Sequence, residues 1–127
     1  MLDSFKAMGM VANLMKNKDA IAQGLKDVQA RLESRTITVE GAKQSDGSAG
    51  IKLLISGKMQ VQQVIIAPAL LASAQSPEGK ARLEQLLAGA MNAAVKRVKE
   101  VAAEEIGAEA KKLGLGDMPG IEKLADL

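Results

Sequence analysis

Three basic side chains, Lys96, Arg97 and Lys99, fall within four consecutive positions, and Lys6, Lys16 and Lys18 lie within the first twenty residues. Groups of this kind do ionic chemistry: they neutralise phosphates, or, as most such clusters do, they form a solvated face. Little else is on offer. The 127 residues include no His, Cys, Trp or Tyr, and Phe5 is the single aromatic residue. Histidine-based triads, Cys/His zinc sites, disulfides and aromatic cages are therefore excluded on the chain's own residues. Bases cannot be stacked on aromatic rings, so any nucleic-acid contact would be to phosphates of a duplex, with little reading of sequence.

Carboxylates offer no better route to catalysis. Glu104, Glu105 and Glu109 cluster on one predicted helix, where a solvated face paired with Lys111 and Lys112 is expected rather than a site for a hard cation. Gly57-Lys58 is followed by Met59 and Gly79-Lys80 by Ala81, so neither has the hydroxyl residue or glycine spacing of a phosphate-binding loop. No base is positioned beside a lysine or serine nucleophile. The sequence predicts no enzyme, no metal and no cofactor.

The elements that carry these residues follow from periodicity. Val11, Leu14, Ile21, Leu25, Val28 and Leu32 step by threes and fours from about Ser4 to Glu33, the heptad seam of a long helix that Asp3 or Ser4 can cap, with Gly24 costing roughly 1 kcal/mol within it. From Arg35 to Ala67 the period becomes two. Ile37 and Val39, then Ile51, Leu53 and Ile55, then Val61, Val64 and Ile66 mark three strands of an antiparallel meander, separated by Ser45–Gly50 and Ser56-Gly57-Lys58. The odd interval from Val61 to Val64 calls for a bulge around Gln62-Gln63. Pro68 ends the third strand. Ser76-Pro77-Glu78 is a helix-start signal, and a second long helix runs to about Leu113, with Leu83, Leu87, Ala90, Met91, Ala94, Val98, Val101 and Ala102 on one stripe. This is an α+β plan, αβββα, forming a single domain over 1–113 with a loosely ordered tail over 114–127.

The proportions suggest a partner. A thirty-residue helix spans roughly 45 Å, whereas a six-residue strand reaches about 20 Å, so both helices must overshoot the sheet. A homodimer would bury the seams and the sheet edges. Pairing of the two helices within one chain is the alternative. The longest uninterrupted apolar stretch, Val64 to Ala72, is about half of the ~20 residues a membrane span needs and contains Pro68. The first residues read poorly as a signal peptide, which leaves a cytosolic address as the default.

Net charge is +2, and the basic excess sits early: six Lys/Arg against four Asp/Glu over 1–35, three against two over 36–67, eight against nine over 68–127.

Asn13-Leu14-Met15-Lys16, Val39-Glu40-Gly41, Ile55-Ser56-Gly57, Val64-Ile65-Ile66 with Pro68-Ala69-Leu70-Leu71, Ala90-Met91-Asn92-Ala93-Ala94 and Met118-Pro119-Gly120 occur in this order and spacing. The chain resembles the YbaB/EbfC family of bacterial nucleoid-associated proteins over nearly its whole length. The resemblance implies a tweezer-like homodimer with long helices projecting from a joined sheet, a cytoplasmic and nucleoid location, and DNA binding without a cofactor. Members of that family often have basic residues where this chain has Gln62-Gln63, and an acid where it has Ala67, so DNA contact is sought away from the third strand. Charge and position nominate Lys6, Lys16, Lys18, Lys96, Arg97 and Lys99 as phosphate contacts. The resulting expectation is a homodimer that binds double-stranded DNA with little sequence selectivity and organises the nucleoid or modulates transcription. The rival is a protein-interaction module that docks partners through its helix seams and the residues around Met8, Met10 and Met15.

Overall fold

The computed structural model describes residues 8, 9, 11, 12 and 15–114. Its elements are α1 (Lys18–Ser34), β1 (Thr36–Lys43), β2 (Ala49–Ser56), β3 (Val61–Ile66), α2 (Pro68–Ser73) and α3 (Pro77–Lys112). The strands form one antiparallel sheet in the order β1-β2-β3. The meander and the long second helix are as the periodicity predicts. Two differences stand out. Asn17 is in a turn, so α1 starts at Lys18, although the described positions before it are helical; asparagine is a favoured cap, and its carbonyl accepts the Ile21 N–H at 2.8 Å. The six-residue α2 was not anticipated. Pro68 opens it, supplying a preset φ where no N–H is needed, so the residue that ends β3 also starts a helix.

The chain divides into two compact units, one of Met1–Arg31 with Ala102–Leu127 and the other of Leu32–Val101. In the first, Val28 of α1 and Ala102, Ile106 and Ala110 of α3 are buried. Gly24 is buried there too, because a Cβ at that position would come within 2.8 Å of the Glu109 carboxylate. Its helix-propensity cost therefore makes room for an acidic side chain laid against α1.

In the second unit the sheet supplies the core. Ile51 and Leu53 of β2 are 0% exposed, and Ile37, Ile55, Ala94, Val98 and Val101 are buried. Ile51 packs with Leu83 and Ala90 of α3, with Ile66 and Leu70 beside them. The anticipated bulge lies in β3: Leu54 faces Gln63 and Ile55 faces Val61, leaving Gln62 as the extra residue. At the β2–β3 turn, Ser56 is buried and its Oγ accepts N–H bonds from Lys58 and Gln60. A Cβ on Gly57 would overlap the Leu32 carbonyl, to which the Gly57 N–H donates at 2.9 Å. Ser76 caps α3 as its sequence signal predicts, its Oγ accepting the Gly79 N–H at 3.0 Å. The tail expected over 114–127 lies, apart from Gly114, outside the described residues.

Candidate nucleic-acid interface

Helical geometry positions the central basic cluster. Ala94, Val98 and Val101 are buried on one side of α3, which turns Lys96, Arg97 and Lys99 to solvent, and all three are exposed. Arg97 forms an ion pair with Glu100 one turn on, Nη1 to Oε2 at 3.3 Å, so part of the cluster's charge is already met by an acid. In the other unit, Lys16 and Lys18 are exposed at and just before the start of α1. Lys6 lies outside the described residues. Lys96, Arg97 and Lys99 thus share one exposed turn of α3, whereas Lys16 and Lys18 are exposed on either side of the turn at Asn17.

The acidic residues have a different role from the one their spacing suggests. Glu105 and Glu109 pair with Arg31 of α1: Nε to Glu105 Oε2 at 3.0 Å and Nη2 to Glu109 Oε2 at 3.3 Å. Both carboxylates are largely covered while the guanidinium is about two-fifths exposed. The side-chain hydrogen bond to Glu105, then that to Glu109, raises the Arg31 pKa further above its ordinary value, and the arginine stays charged at any pH at which the protein is handled. These contacts join α1 to α3 and take Arg31 out of the set of cations available to a ligand. Among the described residues no group of three or more acids could hold a metal ion, and no helix is long and apolar enough to cross a membrane.

Two cations escaped the sequence reading. Lys43, the last residue of β1, and Arg82, in the second turn of α3, line a surface cleft of about 390 Å³ with Gln44, Ser45, Ser73 and Leu86. Ala42, immediately before Lys43, is in the left-handed region at φ 53°, a conformation rare for a residue with a Cβ, and it too lines the cleft. Nothing in the sequence signals this pairing, because the two residues stand far apart in it and meet through strand register and helix packing.

Edges differ as well. On β1 the exposed residues are Thr36, Thr38, Glu40 and Lys43, the polar and charged types that blunt an edge. On β3, Val61 (49%), Val64 (40%) and Ile65 (42%) are exposed alongside Gln62 and Gln63. An edge strand that exposes apolar side chains is a surface for another strand.

A model of the YbaB/EbfC DNA-binding family matches residues 8–113 of this chain. A protein of Ruminiclostridium cellulolyticum named nucleoid-associated protein is 28% identical over 113 residues, which cover 89% of each chain. An uncharacterized protein of Helicobacter pylori, known from its crystal structure, matches with a TM-score of 0.52 at 18% identity, covering 68% of this chain and 82% of that one, a likeness of fold alone.

Proposed function

Because the chain belongs to the YbaB/EbfC DNA-binding family, we propose that it is a nucleoid-associated protein that binds double-stranded DNA as a homodimer, through phosphate contacts and with little sequence selectivity, and so organises the nucleoid or modulates transcription in the cytoplasm. The family match carries this reading, and it makes the protein a DNA-binding one rather than an enzyme. Lys6, Lys16, Lys18, Lys96, Arg97 and Lys99 are the proposed phosphate contacts. Their mechanism is counterion release, in which each lysine or arginine that replaces a condensed ion makes the affinity fall more steeply with salt. The second copy is proposed to add to β3, whose exposed apolar side chains contrast with the polar edge of β1. Symmetric pairing there would double the number of phosphate contacts without any increase in charge per chain.

The test is fluorescence anisotropy of two unrelated labelled duplexes titrated with the protein at several salt concentrations. Similar affinities that decline linearly in log salt are the expected result, and K96Q/R97Q/K99Q should flatten the slope by about 0.9 for each contact removed. Absence of binding at low salt would favour the second reading, a protein-interaction module. The observation behind that reading is the exposed apolar surface of Met8, Val11, Ala12 and Met15.

A further inference from the structure

We infer that the cleft between the end of β1 and the start of α3 binds a phosphodiester of the DNA backbone, with Lys43 and Arg82 as its two cationic walls. This inference rests on the DNA-binding reading above and adds to it a contact site on the sheet-bearing unit that lies outside the basic clusters evident in the sequence.

Three observations carry it. The first is charge. Lys43 and Arg82 both line the cleft, no carboxylate does, and among the described residues neither cation has an ion pair. Of the acids nearest in sequence, Glu40 pairs with Lys52 at 3.7 Å, Glu84 pairs with Lys80 at 3.5 Å and Asp46 accepts both the N–H and the hydroxyl of Ser48, while Glu78, one turn before Arg82 on α3, does not line the cleft. Arg97 of the α3 cluster, by contrast, already holds Glu100.

The second observation is the state of the other polar groups. Gln44 donates its Nε2 to Ser48 Oγ at 2.9 Å, and Ser73 Oγ donates to the Leu70 carbonyl at 2.6 Å. The Ser73 proton and one of the two Gln44 amide protons are thus committed within the chain. The lining side chains that keep donors are Lys43, Arg82, Ser45 and, with its second amide proton, Gln44, a set without a carboxylate that suits an oxyanion. A planar guanidinium can take two phosphate oxygens while the ammonium acts as a point charge on a third.

The third is shape. About 390 Å³ lies in the range of small-ligand sites, ~300–1,000 Å³, and is more than a bare phosphate needs. Ala69, Leu70 and Leu86 give the remaining wall an apolar surface. Such a wall suits the carbon face of a deoxyribose, so the cleft fits a sugar-phosphate unit better than an inorganic ion. No base edge is needed, in keeping with contact that positions a duplex without reading it.

The experiment compares parent protein, K43Q/R82Q and a charge-matched K26Q/K58Q in salt-dependent duplex anisotropy, with melting temperatures to establish that each variant is folded. The expected result is that K43Q/R82Q binds about tenfold or more weakly at low salt and loses about 0.9 in slope for each contact removed, whereas K26Q/K58Q retains most of the parental slope. An unchanged slope in K43Q/R82Q, or equal losses in the two variants, would overturn the site while leaving the DNA-binding reading intact. No duplex binding by the parent at any salt would overturn that reading and the site with it. A parallel NMR titration separates the sources of phosphate: perturbation of the Lys43, Ser45 and Arg82 amides by duplex, and far less by inorganic phosphate at the same phosphate concentration, supports a backbone contact. Equal perturbation by both would reassign the cleft to free small anions.

Discussion

Strands β2 and β3 lie side by side with similar apolar alternation, yet they have opposite fates. Ile51, Leu53 and Ile55 of β2 are buried, while their cross-strand partners Ile66, Val64 and Val61 are half-buried or exposed. Alternation reports which face of a strand is apolar, not whether anything covers that face. Coverage depends on neighbours: β2 has a strand on each side and α3 packed against Ile51, whereas β3 has an open edge. A core strand and an interface strand can therefore share one pattern, and substitutions tell them apart.

The largest effect is expected at the pair Leu53 and Val64, which face each other across the β2–β3 ladder. Leu53→Ala should cost about 2–5 kcal/mol, because a fully buried leucine leaves a cavity that close-packed neighbours fill only in part. Val64→Ala, at a site 40% exposed, should cost about 1 kcal/mol or less in a dilute protein. Urea unfolding followed by circular dichroism measures both. A cost at Val64 that grows with protein concentration would sharpen the contrast, since stability linked to a second copy scales with the amount of that copy. Equal costs in dilute protein would break it.

Val64→Lys probes the interface side of the same comparison. Lysine on an edge strand is a common device against strand addition, so this variant should raise the dimer dissociation constant at least tenfold. Analytical ultracentrifugation checks the shift. The circular dichroism spectrum should stay that of the parent, because Val64 is 40% exposed and a lysine there can reach water without disturbing the β1–β2 ladder. A dimer that survived the substitution would move the interface away from β3.

Local chemistry made much of the fold legible. The three strands, the bulge that leaves Gln62 unpaired, the Ser76 cap and the extent of α3 each rest on a period or a turn residue visible within a few positions. The helix α2 was hidden because one residue, Pro68, is compatible with both ending a strand and opening a helix. Long-range partners were hidden for a different reason. Glu105 and Glu109 look, by spacing, like acids serving nearby lysines, but they hold Arg31 across more than seventy positions. Lys43 and Arg82 carry no motif, and only the end of β1 and the second turn of α3 bring them to one cleft. The exposed cluster of Lys96, Arg97 and Lys99 could be read because all three lie within one turn of one helix.

The cap offers the smallest and cleanest effect, in a unit whose core the Leu53 substitution would disturb far more. Ser76→Ala removes the acceptor of the Gly79 N–H at the start of α3 without touching the sheet, and caps of this type contribute typically ~1 kcal/mol, within about 0.5–2. Ser76→Gly should cost only a few tenths of a kcal/mol, since glycine tolerates the cap conformation and exposes the backbone donor to water. Measured by urea unfolding, alanine should therefore be more destabilising than glycine. The reverse order would mean that α3 starts through Pro77 alone, whose φ is preset for the first turn. Neither substitution alters charge, so the salt slope for DNA should stay parental, a separation that Leu53→Ala, by loosening the sheet whose first strand ends at Lys43, is not expected to preserve.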